Sequence, residues 1–145
     1  MKIIIISCLM VSYMGWTAFN AQNQDDPLKE SIKRGKEVYN DFCLQCHMAD
    51  GQGVKDAFPP LAESDFLLQK RKESIKAVMY GMSGEITVNE VVYNGNMSNQ
   101  GLYDDEVADV MNYILNSWGN KSEKMVTEEE VKSIKKEVEE KKAEQ

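Results

Sequence analysis

The chain has 145 residues, of which 42% are apolar and 28% are charged, and its formal net charge at pH 7 is -7. This length suits one compact domain with at most a short extension, and the apolar share excludes a chain that is disordered throughout. Residues 22–120 carry the acidic balance, with nine Lys or Arg against sixteen Asp or Glu, whereas 121–145 carry seven against eight. Because phosphate backbones repel such a surface, no nucleic-acid partner is expected, and a protein partner with a basic docking patch is favoured.

Residues 1–21 are predicted to be a signal peptide or an N-terminal anchor. A short positive start precedes an apolar run from Ile3 to Phe19, and cleavage after Ala21 fits the polar sequence that follows. Two alternatives stay open: Cys8 resembles a lipoprotein processing site, and about seventeen apolar residues reach the lower limit for an uncleaved membrane span. All three interpretations place the domain outside the cytoplasm. The lipoprotein site and the uncleaved span would also attach it to the membrane.

Residues 22–30 are predicted to be a polar linker, and a helix is predicted from Leu28 to Phe42. Its apolar stripe has helical spacing and consists of Ile32, Val38, Tyr39 and Phe42. Gly35 interrupts the helix, although Ala would be preferred there by about 1 kcal/mol. Gly35 is therefore either a tolerated surface glycine or the point where another helix crosses at close range.

The run Cys43-Leu44-Gln45-Cys46-His47 follows this helix. Covalent haem attachment needs two thiols at a spacing that reaches both vinyl groups, and an adjoining histidine that ligates the iron. The C-x-x-C-H spacing of Cys43, Cys46 and His47 supplies that arrangement. The motif therefore predicts one covalently bound haem c.

Three other interpretations of the motif are less consistent with the sequence. A redox-active dithiol would follow a strand in a thioredoxin-like pattern, which is not present. A zinc site needs four ligands, and one cysteine pair with one histidine falls short. A disulfide between Cys43 and Cys46 would close a very small loop. His47 is the single histidine of the chain, so a second histidine ligand is excluded and the sixth iron ligand is methionine, lysine, water or none.

Two short helices are predicted next, from Asp65 to Lys70 and from Glu73 to Met79, with Ser64 as an N-cap and Gly81 as a stop. Residues 85–88 and 91–93 alternate as in a small β-hairpin. The turn of this hairpin is expected at Asn89-Glu90.

The last core helix is predicted from Asp104 to Trp118, with a continuous apolar stripe that belongs to the core. Residues 121–145 are predicted to be a charged helical tail. A capping box starts this tail helix at Thr127, and its one apolar face carries Val131, Ile134 and Val138. We expect the tail helix to pack weakly or fray, and the alternative is a docking helix for a partner.

Three further segments accompany the haem motif. Gly35 and Tyr39 precede it, Phe58-Pro59-Pro60-Leu61 follows it, and Tyr93-Asn94-Gly95-Asn96-Met97 leads to a helix that contains Glu-Val-Ala-Asp-Val. With these segments, residues 31–120 resemble a class I cytochrome c domain. The sequence is most similar to small bacterial monohaem cytochromes that are fused to, or partnered with, respiratory oxidoreductases.

The resemblance implies two further site residues. The carbonyl of Pro59 would accept a hydrogen bond from the ring nitrogen of His47 that does not bind iron. Met97 would be the sixth ligand, and its soft thioether would raise the reduction potential of the iron. Five other methionines compete for this role. Met48 adjoins His47 and Met125 lies beyond the domain. Met79 and Met82 are expected at the end of a helix, and Met111 within one.

The resemblance also implies the fold. We expect an all-α cytochrome c fold, with four to five helices around one haem, a small β-hairpin before the axial methionine loop, and the charged C-terminal helix. In that fold, Tyr113 takes part in the helix crossing at Gly35. Ser98 and Tyr103 depart from the family pattern, because proline usually follows the ligand methionine and Ser or Thr usually caps the last helix. We therefore expect a looser ligand loop and a cap from Asp104.

The implied function is one-electron transfer in an extracytoplasmic respiratory chain, without catalysis by the chain itself. A six-coordinate iron has no open position for a substrate, and redox partners meet through small, transient interfaces. Two alternatives stay open. The chain could be a dedicated haem subunit of one respiratory oxidoreductase, or a sensor or peroxidase-like enzyme in which Met97 leaves the iron.

Overall fold

The computed structural model describes residues 26–144. Within this range the chain forms six helices and one two-stranded antiparallel hairpin, which confirms the expected mostly helical fold. In chain order these are α1 (Pro27–Phe42), α2 (Leu44–His47), α3 (Asp65–Gln69), α4 (Arg71–Tyr80), β1 (Met82–Val88), β2 (Val91–Met97), α5 (Asp104–Ile114) and α6 (Glu128–Ala143). The predicted signal peptide or anchor, 1–21, lies outside the described residues. No helix between residues 26 and 144 has the length and apolarity that a membrane crossing requires.

Helix α1 begins earlier than expected. Pro27 is its first residue, and the Asp26 carboxylate caps it by accepting a hydrogen bond from the Leu28 N–H at 3.1 Å. Proline suits the first helical turn because the N–H it lacks would have no helical partner there. The last four residues of the predicted linker, 22–30, are therefore helical.

The crossing of α1 and α5 organises the core. A Cβ atom on Gly35 would overlap the carbonyl of Asp109 and would lie 2.9 Å from the backbone nitrogen of Val110. The prediction of a close helix crossing at Gly35 is confirmed. Tyr113 takes part in the crossing one turn further along α5, where its ring lies 5.3 Å from that of Tyr39.

A buried polar network fastens the same two helices. The guanidinium of Arg34 donates two hydrogen bonds to the Asp109 carboxylate, at 2.6 and 2.8 Å. The hydroxyl of Ser31 donates to the same carboxylate at 2.6 Å and accepts from the Asn112 amide at 2.8 Å. Because the buried Asp109 has both a cation and a hydroxyl as partners, its charge is compensated.

The middle of the chain follows its local signals closely. The Ser64 hydroxyl accepts from the Leu67 N–H at 3.2 Å, which confirms the cap of α3, and Gly81 ends α4 at φ 78°. The hairpin turns at Asn89 and Glu90, with φ values of 48° and 66°, as predicted. Its strands are longer than expected and extend to Met82 and Met97.

Two expectations for α5 are wrong. The helix ends at Ile114 instead of Trp118, and Trp118 lies in the following turn with φ 51°. Asp104 is the first helical residue and does not act as the cap. The Glu106 carboxylate accepts a hydrogen bond from the Tyr103 N–H at 2.8 Å. This bond is the half of a capping box that does not require Ser or Thr at the cap position.

The expected weak packing of the tail is also wrong. Val126, Val131 and Ile134 belong to the same buried cluster as Tyr39 and the residues of α5. The Asn112 side chain makes two hydrogen bonds to the backbone of Val126. Its NH2 group donates to the Val126 carbonyl at 2.8 Å, and its Oδ1 accepts from the Val126 N–H at 2.7 Å. The tail is thus part of the core.

An ion pair holds α6 against α4. Arg71 donates two hydrogen bonds of 2.8 Å to the Glu130 carboxylate and also reaches the carbonyls of Lys124 and Met125, at 3.1 Å each. Both side chains of the ion pair are mostly buried, with 20% and 26% of their surfaces exposed. This bidentate geometry holds the Glu130 carboxylate in one position.

We predict that Gly35→Ala lowers the free energy of unfolding by about 2–4 kcal/mol, because the added methyl group must force α1 away from the α5 backbone. Urea unfolding of the haem-loaded protein measures this loss. Lys36→Ala changes the next residue, which is exposed on the same helix, and should stay within about 0.5 kcal/mol of the native protein. Equal stabilities for the two variants would contradict the close crossing.

A second prediction concerns acid. The hydrogen bonds from Arg71 hold the pKa of Glu130 below its ordinary 4.5. A carboxyl whose pKa is lowered by folding stabilises the fold above its unfolded pKa, and that contribution is lost as the pH falls through the lowered value. Glu130→Gln should therefore cost about 1–3 kcal/mol near neutral pH and remove part of the stability loss below pH 4.5.

Unfolding curves recorded from neutral pH to below pH 4.5 check this prediction. Glu140→Gln, on an exposed position of the same helix, is the matched control and should follow the native protein. A Glu130→Gln variant with native stability at both ends of the range would show that the ion pair contributes nothing.

Candidate functional site

The haem motif forms the helical turn that follows α1. Cys43 is the residue between α1 and α2, and its N–H bonds the Tyr39 carbonyl at 2.9 Å. The N–H of His47 bonds the Cys43 carbonyl at 2.9 Å, so these two residues lie one turn apart. Residues one helical turn apart share a face, and Cys43, Cys46 and His47 accordingly line one cavity.

The chain after the motif is tied down by two aromatic side chains. The Tyr39 hydroxyl donates to the Met48 carbonyl at 2.6 Å, and the Trp118 indole N–H donates to the Ala49 carbonyl at 3.0 Å. These rings also pack on each other, with centroids 5.0 Å apart. The helix crossing thereby fixes the start of the loop that follows His47.

The loop then folds back on itself through the backbone. The N–H groups of Leu61 and Ala62 both bond the Gly51 carbonyl, at 2.7 and 2.9 Å, and the Gly53 N–H bonds the His47 carbonyl at 3.1 Å. These bonds return the chain at Pro59 to the imidazole of His47.

His47 is buried, with 9% of the residue's surface exposed. Its Nδ1 lies 3.1 Å from the Pro59 carbonyl oxygen, which can only accept, so Nδ1–H is the donor. Burial lowers the pKa of His47, and the smaller opposing effect of the Pro59 hydrogen bond does not overcome it. The ring is therefore neutral near pH 7, and Nε2 keeps a free lone pair for a metal ion.

Gly53 is a site residue that sequence reasoning missed. A Cβ atom at this position would overlap the Phe58 carbonyl and would lie 2.7 Å from the Pro59 carbonyl oxygen. The residue also has φ 64°, a conformation that favours glycine. A glycine shortly after the motif was the available signal, because close backbone approach is one of its common causes.

Met97 lies in a different setting from the one expected. It is the last residue of β2, where the sequence predicted a loop, and its cross-strand partner is Met82. Met82 was expected to end a helix, which is wrong: it is the first residue of β1. Its place beside Met97 could not be inferred without the register of the hairpin.

Two adjoining cavities separate the haem motif from the hairpin. Cys43, Cys46, His47, Pro59 and Met97 all line the first cavity, so the structure brings the five predicted site residues together. The second cavity extends the first towards α4 and α5. Both cavities share a wall of mostly apolar side chains, formed by Cys43, His47, Pro59, Met82, Ile86 and Met97.

The Cys43 thiol does not resemble the activated thiol of a redox-active dithiol. Burial raises the pKa of Cys43 to about 11, with a smaller contribution from Cys46, whereas an activated thiol needs a lowered pKa. Both thiols are free in the described part of the chain. Within residues 26–144, no cluster of three or more His, Cys, Asp or Glu side chains could hold a metal ion by itself.

The donor set fits a covalently attached haem c. Two free thiols can form thioethers, a neutral imidazole presents one nitrogen, and a thioether lies at the wall of the same cavity. The remaining wall is apolar, as a flat apolar macrocycle requires. The roles of the individual residues stay predictions at this point.

Comparison with known proteins agrees with this fit. Residues 32–118 match the family model described as Cytochrome c. Cytochrome c-552 of Thermus thermophilus is 39% identical over 110 residues, which are 70% of this chain and 83% of the relative.

Longer proteins match a similar share of the chain. The cytochrome c subunit of alcohol dehydrogenase (quinone) from Gluconobacter oxydans is 32% identical over 104 residues, 70% of this chain but 22% of that subunit. The gluconate 2-dehydrogenase cytochrome c subunit of Pantoea cypripedii is 29% identical over 126 residues, 78% of this chain and 28% of that subunit. The chain belongs to the cytochrome c family, whose members bind covalently attached haem c and transfer electrons.

Proposed function

We propose that this chain is an exported one-electron carrier with one haem c, held by Cys43 and Cys46 and ligated by His47 and Met97. One observation carries the proposal: Nδ1 of His47 is committed to the Pro59 carbonyl, so Nε2 is left for the cavity that Met97 also lines. The bound haem supplies a one-electron redox couple.

Each side chain has a distinct part in this proposal. The two cysteines would fix the group at the helical turn between Cys43 and His47, and His47 would supply the nitrogen ligand from the same turn. Pro59 holds the ring in one tautomer and one orientation, and its hydrogen bond makes the imidazole a stronger donor. Met97 would supply the thioether ligand, so no iron position would remain for a substrate.

Part of the cavity lining is exposed to solvent. Phe42 and Phe58 line the first cavity and are 43% and 37% exposed. Exposed aromatic side chains in the cavity lining favour electron exchange through brief contact with another protein, without entry of a substrate. Such redox contacts are small and transient.

The charge of the chain suggests the character of its partners. A net charge of -7 would steer the protein towards partners with a basic docking patch and would make association weaken as salt increases. Residues 1–21 would deliver the domain outside the cytoplasm, either as a signal peptide or as a membrane anchor.

A dedicated subunit of a respiratory oxidoreductase is the second candidate, because the chain matches segments of dehydrogenase cytochrome subunits. The tail helix gives this candidate less support than the sequence suggested. Val131 and Ile134 are buried in the core of the chain itself, so the apolar face that would dock a partner is already used. Purification as a stable complex with a dehydrogenase would favour the subunit over the free carrier.

The first test is spectroscopic. Protein produced with a cytochrome c maturation system should show a covalent c-type spectrum, with a weak far-red thioether-to-iron band when oxidised and no response to carbon monoxide when reduced. Cys43→Ser and Cys46→Ser should each shift the pyridine haemochrome band, because one thioether is replaced by a vinyl group. Protein without covalent haem would contradict the proposal, and a carbon monoxide adduct would favour a sensor or enzyme.

A further prediction concerns the hydrogen bond on His47. Gly53→Ala should displace the Pro59 carbonyl, weaken the donor strength of the imidazole and raise the reduction potential, because a stronger donor favours the oxidised iron. Redox titration of the purified protein measures the potential. Gly101→Ala is the matched control, since Gly101 has a similar φ of 72° but nothing within 4 Å of an added Cβ atom. Equal potentials in the two variants would contradict the role of Pro59.

A further inference from the structure

Met82 and Met97 form a cross-strand pair at the open end of the hairpin. Directly opposed residues of an antiparallel pair point to the same face, with Cβ atoms about 4.5–5.5 Å apart. Both side chains line both cavities, together with His47. Two thioethers therefore lie side by side at the wall of the candidate haem site.

These two methionines differ from those that serve as packing. Met79 and Met111 are buried in the core, at 9% and 0% exposure, and line neither cavity. Met82 and Met97 are partly exposed at the cavity wall. Across the described residues, they are the methionines that line these cavities, so both thioethers can reach a group bound there.

The backbone next to the pair is held at close range. Gly81 has φ 78°, and a Cβ atom on it would overlap the Met97 carbonyl and would lie 2.8 Å from the Asn99 nitrogen. The beginning of β1 is thus pressed against the end of β2. This contact keeps Met82 and Met97 together even if one side chain changes its rotamer.

Open space lies beside the pair on the same face. The cross-strand pair two residues along the hairpin is Gly84 and Gly95, and both glycines line the first cavity. A Cβ atom on Gly84 would meet nothing within 4 Å, and one on Gly95 would have its nearest neighbour, the Ala57 carbonyl oxygen, at 3.7 Å. A flexible methionine side chain can therefore swing across this part of the wall without a clash.

We propose that Met82 is a reserve axial ligand, which takes the sixth position of the haem iron when Met97 leaves it. This inference rests on the proposed function and extends it. The exchange replaces one thioether by another, so the iron stays six-coordinate and closed to small ligands. The carrier would then survive loss of Met97 as a ligand.

Four variants test this proposal in the full haem-loaded chain: Met97→Leu, Met82→Leu, the double variant, and Met79→Leu as the control outside the cavities. Leucine is close to methionine in volume and has no donor atom. The readouts are covalent haem content, the far-red band of the oxidised protein, and carbon monoxide binding to the reduced protein. Methyl-labelled methionine adds an NMR signal that shifts strongly upfield when its sulfur binds low-spin ferrous iron.

Met82→Leu and Met79→Leu should keep the far-red band when oxidised and should not bind carbon monoxide when reduced. Met97→Leu should also keep a band, shifted in position, with one upfield methionine methyl and no carbon monoxide adduct. The double variant should lose the band and the upfield methyl and bind carbon monoxide. This combination would support Met82 as the reserve ligand.

Other results would overturn the proposal in distinguishable ways. Met97→Leu with full haem content, no band and a carbon monoxide adduct would show that Met82 does not reach the iron, while the assignment of Met97 would stand. Loss of the band in Met82→Leu alone would make Met82 the resting ligand and would overturn both assignments. Wild-type protein without covalent haem would remove the proposed function itself, before any variant is compared.

Discussion

The contact between α1 and α5 at Gly35 is the constraint on which the site depends. Because no side chain stands between the two backbones, Tyr39 of α1 can pack on Trp118 beyond α5. These two side chains hold the carbonyls of Met48 and Ala49, directly after the haem motif. The loop that starts there returns Pro59 to His47, so the orientation of the imidazole follows from a helix crossing some distance away.

The tail is the second support of the same crossing. A small domain has little surplus core, and the tail adds three fully buried or nearly buried aliphatic side chains to the cluster around α5, one just before α6 and two within it. Asn112 joins the two parts, because its side chain bonds both Ser31 of α1 and the backbone of Val126. Every polar atom of that amide is satisfied, which suits a buried network. The tail therefore stabilises the helices that position the haem motif.

Local signals in the sequence predicted the elements they control. The C-x-x-C-H run, the Ser64 cap, the stop at Gly81 and the Asn89-Glu90 turn each act within a few residues, and each is found where expected. Tertiary contacts decided the rest. The sequence showed one apolar face on α6, but it did not show that this face packs on the core of the same chain. The position of Met82 depends on strand register, which composition does not specify.

The two sides of the site are therefore built in different ways. Cys43, Cys46 and His47 come from one helical turn, so their arrangement follows from their spacing alone. Met97 depends on the hairpin, where a register slip of one residue would end its pairing with Met82 and turn the two side chains to opposite faces. The turn sets that register, and it is fixed by paired bonds in which the Asp65 N–H donates to Asn89 Oδ1 at 3.0 Å and the Asn89 N–H donates to Asp65 Oδ1 at 2.7 Å. Met97 is thus positioned by the ladder and its anchored turn, and Ser98 follows it where proline is usual in the family.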